Sequence, residues 1–161
     1  MSAINENKKR AELIIRQYAD MIYRIALHNL KNPADAEDIF QEVALSLLTK
    51  NAPLFDDAHI KNWLIRVTIN KCKNFRKSLW QSRTESLNYQ TDKAVEDDNS
   101  LLETISVLPM KDRNIIYLYY FEDYTVAEIA DILQMNKNTV SSRLQRARNK
   151  LKEILSEGDN Q

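Results

Sequence analysis

The stretch YTVAEIADILQMNKNTVSSRLQRARNKL, residues 124–151, predicts two short helices joined by a tight turn. Thr125 and Glu128 have the spacing of a capping box, in which a hydroxyl and a carboxylate accept hydrogen bonds from backbone amides at a helix start. Apolar residues then recur at intervals of three and four, and Asn136 is suited to cap a second helix. The two helices together predict a helix-turn-helix.

The second of these helices separates an apolar face from a polar one when its residues are placed at about 100° per step. Its polar face carries hydroxyl and amide groups, which donate to and accept from the edges of bases. Residues 136–152 contain six cations and no acid, which favours a polyanion as partner. The apolar face consists of Val140, Leu144, Ala147 and Leu151. The residues assigned to DNA contact are Lys137, Asn138, Ser141, Ser142, Gln145, Arg146, Arg148 and Asn149.

Individual residues of this helix are expected to have different tasks. Discrimination between base sequences is assigned to Ser142, Gln145 and Arg146, whereas the flanking cations contribute mainly affinity through phosphates. The helical position of Arg143 leans toward the docked face. We therefore expect an ion pair between Arg143 and Glu128 that holds the two helices together.

The composition of the chain favours an all-α fold. Among 161 residues there are one glycine and three prolines, so the residues that form hairpin turns are scarce. We expect two small helical domains, residues 1–83 and 101–161, with the helix-turn-helix in the second. The segment 84–100 between them is acidic and lacks apolar periodicity, which predicts a flexible linker. The chain has no long apolar run and no signal-peptide pattern, so a cytoplasmic location is expected.

Catalysis finds little support in the sequence. A single glycine leaves no glycine-rich phosphate loop, and His28 and His59 have no nucleophile or metal-ligand cluster at local spacing. The single cysteine, Cys72, is interpreted as a small core residue. No cofactor, metal ion or small-molecule substrate is expected.

A second basic block lies in the first predicted domain. Residues 61–83 contain no acid, and Trp63, Phe75 and Trp80 are interleaved with the cations. Aromatic surfaces among cations suit a single strand whose bases are unpaired, although each aromatic on its own is better explained as core. The run of cations is therefore the firmer signal for a nucleic acid.

An acidic helix precedes that block. Asn32 as N-cap and Pro33 in the first turn predict a helix that runs to about Thr49. Its outward face is acidic, and the residues alone leave open whether this face binds a basic partner or is only solvated. The expected buried residues are Ile39, Phe40, Val43, Leu47 and Leu48. The outward residues considered for partner binding are Asp35, Asp38, Gln41 and Glu42.

The order of these features resembles the extracytoplasmic-function sigma factors, the minimal two-domain members of the bacterial sigma-70 class. The second domain of that family is similar to Leu108-Pro109, Arg113, EIA at 128–130 and TV-x-SRL-x-RAR at 139–148. Gln134 and Asn138 stand where the family often has glycine, and Ser141 stands where many members carry a longer basic residue.

The first domain also carries the resemblance. DAEDIFQEV at 35–43 resembles the family's polymerase-binding helix, and NWLIRVTINKCKNFRK at 62–77 resembles its promoter-melting and minus-10 region. The minus-10 contacts that follow from the resemblance and the basic block are Phe55, Trp63, Arg66, Asn70, Lys71, Lys73, Asn74, Arg76 and Lys77.

The resemblance implies a protein without chemistry of its own. It would bind core RNA polymerase at the beta-prime clamp helices and the beta flap, read minus-35 duplex DNA with the second domain and capture flipped minus-10 bases with the first. A membrane-linked anti-sigma factor is a further implied partner. The alternative is a helix-turn-helix regulator with an N-terminal interaction domain, but such a regulator would not need the basic block 61–83.

Overall fold

A computed structural model describes residues 3–50, 56–83 and 100–159 of the chain. This part contains seven helices and no strand, which confirms the all-α prediction. The helices are α1 (Ala3–Leu30), α2 (Pro33–Thr49), α3 (Asp57–Arg83), α4 (Ser100–Ile105), α5 (Met110–Tyr120), α6 (Val126–Leu133) and α7 (Lys137–Asp159). The chain divides into two compact units, Met1–Lys93 and Ala94–Gln161. The division lies within the predicted linker 84–100, of which residues 84–99 are outside the described residues.

The first unit is a three-helix arrangement in which α1, α2 and α3 all pack against one another. The α1–α2 turn is tight because Lys31 adopts a positive φ of 57° and Asn32 then caps α2. The Asn32 side chain accepts a hydrogen bond from the backbone N–H of Asp35 at 3.1 Å, and Pro33 occupies the first turn as predicted. The core between the helices includes Ile22, Ile25, Ile39, Leu64 and Ile65, each at most 1% exposed.

Two of the α2 residues predicted to be buried are not: Phe40 is half-buried and Leu48 is exposed. Leu48 is 39% exposed, whereas its neighbour Leu47 is 2% exposed. The reason is helical geometry: Leu48 lies nine residues after the buried Ile39, and nine residues are two and a half turns, so the two side chains point in opposite directions.

The second unit places the helix-turn-helix against α5. Helix α5 packs on both α6 and α7, and α4 packs on α7. The largest buried side chain of α5 is Tyr117, whose hydroxyl donates to the Glu122 carboxylate at 3.0 Å. Tyr124 is also buried, so these two tyrosines pack in the core. Helix α5 therefore serves as the support on which the other two helices are held.

Candidate nucleic-acid interfaces

The starts of α6 and α7 are built by short-range hydrogen bonds that the sequence predicts. The capping box is present: the Thr125 hydroxyl accepts from the Glu128 N–H at 3.2 Å, and the Glu128 carboxylate accepts from the Thr125 N–H at 3.0 Å. At the start of α7, the Asn136 carbonyl accepts from Val140 N–H at 3.0 Å, and its side chain accepts from Asn138 N–H at 2.8 Å. Between the helices, Gln134 adopts a left-handed conformation with φ 57° and ψ 48°.

Helix α7 docks through one face and leaves the other open. Val140, Leu144 and Ala147 are at most 4% exposed, so the apolar side faces the unit's interior as predicted. Among the polar residues assigned to DNA contact, Gln145 and Asn149 are linked by a 3.3 Å hydrogen bond between their side chains. The exposed members of the assigned set are Lys137, Asn138, Ser141, Ser142, Gln145, Arg146 and Asn149. Seven of the eight assigned side chains thus share one solvent-facing surface, which we call the α7 stripe.

Arg148, the eighth residue of that set, is held against α5. It is only half-buried, but its Nε donates a hydrogen bond to the Tyr120 hydroxyl at 2.5 Å. Its guanidinium lies 5.0 Å from the centre of the Tyr119 ring and 5.5 Å from that of Tyr120, which is the geometry of a cation–π contact. The hydrogen bond to Tyr120 raises the pKa of Arg148, so the positive charge persists at every physiological pH.

The expected ion pair between Arg143 and Glu128 is wrong. Arg143 instead pairs with Asp112 of α5, with 2.9 Å between its Nη1 and the carboxylate Oδ1. Glu128 is engaged at the N-terminus of α6, where the hydrogen bond from the Thr125 backbone N–H lowers the pKa of its carboxyl group. The prediction that Arg143 leans toward the docked face is correct. Its partner there is Asp112 of α5, which lies 31 residues earlier in the sequence.

Helix α3 carries the second basic surface. Its inner side is formed by apolar residues together with Thr68, whose hydroxyl donates to the Leu64 carbonyl at 2.6 Å. Of the residues assigned to minus-10 contact, the exposed ones are Asn70, Lys73, Asn74, Arg76 and Lys77, and the half-buried ones are Trp63, Arg66 and Lys71. Phe55 lies outside the described residues. Steps of three and four residues bring Trp63, Arg66, Asn70, Lys73, Asn74 and Lys77 onto one face, the α3 stripe.

The ring of Trp63 contacts a cation that its local sequence does not predict. The ammonium of Lys50, at the C-cap of α2, lies 4.5 Å from the centre of the Trp63 ring. One face of this tryptophan is therefore already in contact with a cation. No local spacing links the two residues, because Lys50 is the C-cap of α2 and Trp63 lies within α3.

The outward face of α2 is acidic, as predicted, and also contains an apolar residue. Asp38, Gln41 and Glu42 are exposed, and Asp35 is half-buried in the first turn. Leu45 is 60% exposed and falls on the same face, since it follows Asp38 by seven residues. The helical periodicity of the sequence is sufficient to place this leucine on the outward face.

Metal ligands, membrane-spanning helices and reactive thiols were each sought in the part of the chain that the structure describes. Residues 3–50, 56–83 and 100–159 contain no group of three potential metal ligands, and none of their helices is long and apolar enough to cross a membrane. Cys72 is fully buried, and burial raises the pKa of its thiol to about 12. This cysteine is thus an inert core residue.

Comparison with known proteins links both units to one family. Residues 14–82 match the family model for sigma-70 region 2, and residues 98–151 match the model for sigma-70 region 4. Sigma factor SigV of Bacillus subtilis is 32% identical over 139 residues, which cover 83% of this chain and 83% of that protein. SigW of the same organism, an extracytoplasmic-function sigma factor, is 28% identical over 163 residues, with 88% of this chain and 87% of the relative covered.

Solved structures show the same fold. The sigma factor RpoE of Bartonella quintana, crystallised with the anti-sigma factor NepR, matches with a TM-score of 0.78 at 20% identity, covering 92% of this chain and 98% of RpoE. CnrH, in complex with the cytosolic domain of CnrY, matches with a TM-score of 0.66 at 20% identity. The match covers 96% of this chain and 92% of CnrH.

Proposed function

The chain belongs to the extracytoplasmic-function sigma factors of the sigma-70 family, and we propose that residues 1–83 and 101–161 carry out two separate promoter-reading tasks. Sigma factors bind core RNA polymerase and direct it to specific promoters, so this chain is a DNA-binding factor of transcription initiation. The minus-35 duplex, the opened minus-10 strand and core polymerase would each contact a different surface of the chain.

We assign minus-35 duplex reading to the α7 stripe. The helix docks through Val140, Leu144 and Ala147, so its opposite side is left exposed along its length. That side combines the amide of Gln145 and the hydroxyl of Ser142 with cations at its edges, and such groups read base edges and hold phosphates, respectively. The single observation that carries the proposal is this exposed, acid-free stripe on a helix whose other face is fixed.

Capture of the opened minus-10 strand is assigned to the α3 stripe. Asn70, Lys73 and Lys77 recur on one exposed face of a helix whose opposite side is core. An amide offers hydrogen bonds to an unpaired base, and the two ammonium groups neutralise the phosphates of the strand. The position of Phe55, assigned to the same site, lies outside the described residues, so its role stays a prediction.

Core polymerase binding is assigned to the outward face of α2, with the beta-prime clamp helices as its partner and the beta flap as the partner of the second unit. Asp38 and Glu42 supply charge on this face, and the exposed Leu45 supplies apolar area. Charged groups around an apolar centre are typical of protein interfaces. We further propose that the protein is cytoplasmic and has no catalytic activity. We also propose an anti-sigma partner, since the structurally similar RpoE was crystallised with the anti-sigma factor NepR and CnrH was solved with the cytosolic domain of CnrY.

Reconstituted transcription tests the proposal. Core polymerase is supplied with this chain and a promoter library randomised at the minus-35 and minus-10 positions, and the transcribed templates are sequenced. We expect discrete start sites that require the chain, and Gln145→Ala should relax the preference at one minus-35 position. Glu153→Ala, an exposed change later in α7, is the control and should retain the parental consensus.

The same experiment separates a sigma factor from a helix-turn-helix regulator. A regulator would produce transcripts only when another sigma factor is added, and this result would contradict the proposal. An unchanged consensus for Gln145→Ala would refute base reading by the α7 stripe while leaving polymerase binding intact.

A further inference from the structure

A cavity of about 220 Å³ lies beside the C-terminal end of α3, outside the residues assigned to minus-10 contact apart from Arg76. It is formed where the last two turns of α3 pass the α1–α2 turn. Phe75, Leu79 and Trp80 contribute its apolar wall, and Lys31 and Arg76 contribute cations. Its size is below the roughly 300–1,000 Å³ of pockets that enclose drug-sized ligands, so it suits a single ring system.

Trp80 is the most unusual residue of this cavity. Its side chain is 71% exposed, the largest exposed fraction among the large apolar residues that the structure describes as exposed. An isolated exposed tryptophan needs no explanation. This one, however, lines a cavity together with two cations and with the apolar residues Phe75 and Leu79. Aromatic faces beside positive charge are the elements with which proteins bind unpaired nucleotides, because bases stack on the ring and phosphates meet the cations.

One residue of the cavity, Trp80, also borders the α3 stripe, whereas Phe75 and Leu79 lie on the core-facing side of the helix. Trp80 follows Lys77 by three residues, so it extends the same face toward the end of the helix. From Asn70 to Trp80 the helix rises about 15 Å at 1.5 Å per residue. At about 3.4 Å per base step, this distance corresponds to roughly four nucleotides of a stacked strand.

We propose that this cavity binds one unpaired nucleotide, with the base stacked on Trp80 and its phosphate at Lys31 and Arg76. The inference rests on the proposed strand capture by α3 and adds a second base site about four steps from the one at Asn70. The site recognises a base by its π face, so it accepts any of the four bases and contributes affinity rather than sequence preference.

Binding of single-stranded oligonucleotides to the full chain tests this site. The probes are a labelled oligodeoxyadenylate of about twelve nucleotides and a strand of the same length with abasic sugars, both followed by fluorescence anisotropy. Trp80→Ala should weaken adenylate binding about 5- to 100-fold and leave the abasic strand unchanged, because only the first probe has bases to stack. Trp80→Phe should restore most of the loss, whereas Lys31→Gln should weaken both probes alike.

The control variant is Leu13→Ala, which removes another apolar side chain of the first unit that is 65% exposed. It should leave both affinities unchanged. If excess dAMP lowers adenylate binding of the parent to the level of Trp80→Ala, a free nucleotide also occupies the site, which supports the assignment of its chemistry.

Two results distinguish failure of this inference from failure of the proposed function. If Asn70→Ala weakens adenylate binding and Trp80→Ala does not, the cavity is no nucleotide site, although α3 still captures the strand. If neither variant changes adenylate binding, strand capture by α3 fails as well. Loss of core polymerase affinity in Trp80→Ala, with unchanged oligonucleotide affinity, would assign the cavity to a protein partner and overturn the inference.

Discussion

Removal of the ion pair between Arg143 and Asp112 should loosen helix α7 from helix α5. The pair joins α7 to α5 at 2.9 Å, and the two side chains are 27% and 14% exposed. Exposed pairs contribute about 0–1 kcal/mol, whereas breaking a fully buried pair costs about 3–5 kcal/mol. The partial burial places this pair between those limits, and we expect Asp112→Asn to cost about 1–2 kcal/mol.

Hydrogen exchange measured by mass spectrometry reports this cost locally. The rate should rise about 5- to 30-fold in peptides from α5 and α7, the factor that corresponds to one or two kcal/mol. Peptides from α1 and α2 belong to the other unit and serve as an internal reference that should not change. A double-mutant cycle of Asp112→Asn with Arg143→Gln should give a coupling energy of about 1 kcal/mol or more.

The matched control replaces the residue that was first expected to pair with Arg143. Glu128→Gln keeps the capping box, in which glutamine also serves, and it should combine additively with Arg143→Gln. If Glu128 rather than Asp112 shows the coupling, or if neither does, the docking of α7 on α5 through Arg143 is refuted.

Three further predictions concern the thiol of Cys72, the backbone conformation of Gln134 and the pKa of Glu128. Cys72, with a pKa raised to about 12 by burial, should react with a disulfide reagent at pH 8 only as denaturant opens the fold, and immediate stoichiometric labelling would contradict this. Gln134→Gly should raise the free energy of unfolding of the second unit by about 0.5–1 kcal/mol in urea denaturation, because glycine adopts a left-handed conformation without the Cβ penalty. A loss of stability would show that the hydrogen bond from the Gln134 side chain to the Asp131 carbonyl contributes more than this penalty costs. The pKa of Glu128 should lie below that of a free glutamate in a carbon-detected NMR titration. Because its pKa is lowered in the fold, its stabilisation is complete above the unfolded-state pKa and is lost as the pH falls through the folded-state value; an unshifted titration would contradict the capping role.

Local signals in the sequence predicted the local structure well. The capping box at Thr125, the N-caps Asn32 and Asn136 and the apolar faces of α2 and α7 each depend on residues within a few positions of one another. Such contacts are set by backbone geometry, which repeats in every helix, so spacing alone is sufficient to find them. The all-α fold follows from the same regularity.

Partners on different helices were not predictable in the same way. Periodicity indicates the side on which a residue lies, but it does not identify the element that packs against that side. Arg143 meets Asp112 at a separation of 31 residues, and Arg148 meets Tyr120 at a separation of 28. The contact of Lys50 with Trp63 was missed for the same reason. These pairs depend on how whole helices pack, which single-sequence patterns leave undetermined.

The contact of Arg148 with the two tyrosines bears on the entropy of DNA binding. A free arginine loses about 2 kcal/mol of rotamer entropy when it becomes ordered, and an arginine on a flexible surface loses it on meeting a phosphate. Here the side chain is already ordered by the Tyr120 hydroxyl and the Tyr119 ring. The entropy is therefore lost during folding of the second unit, and a phosphate contact by Arg148, if the proposed minus-35 role holds, would not have to offset it again.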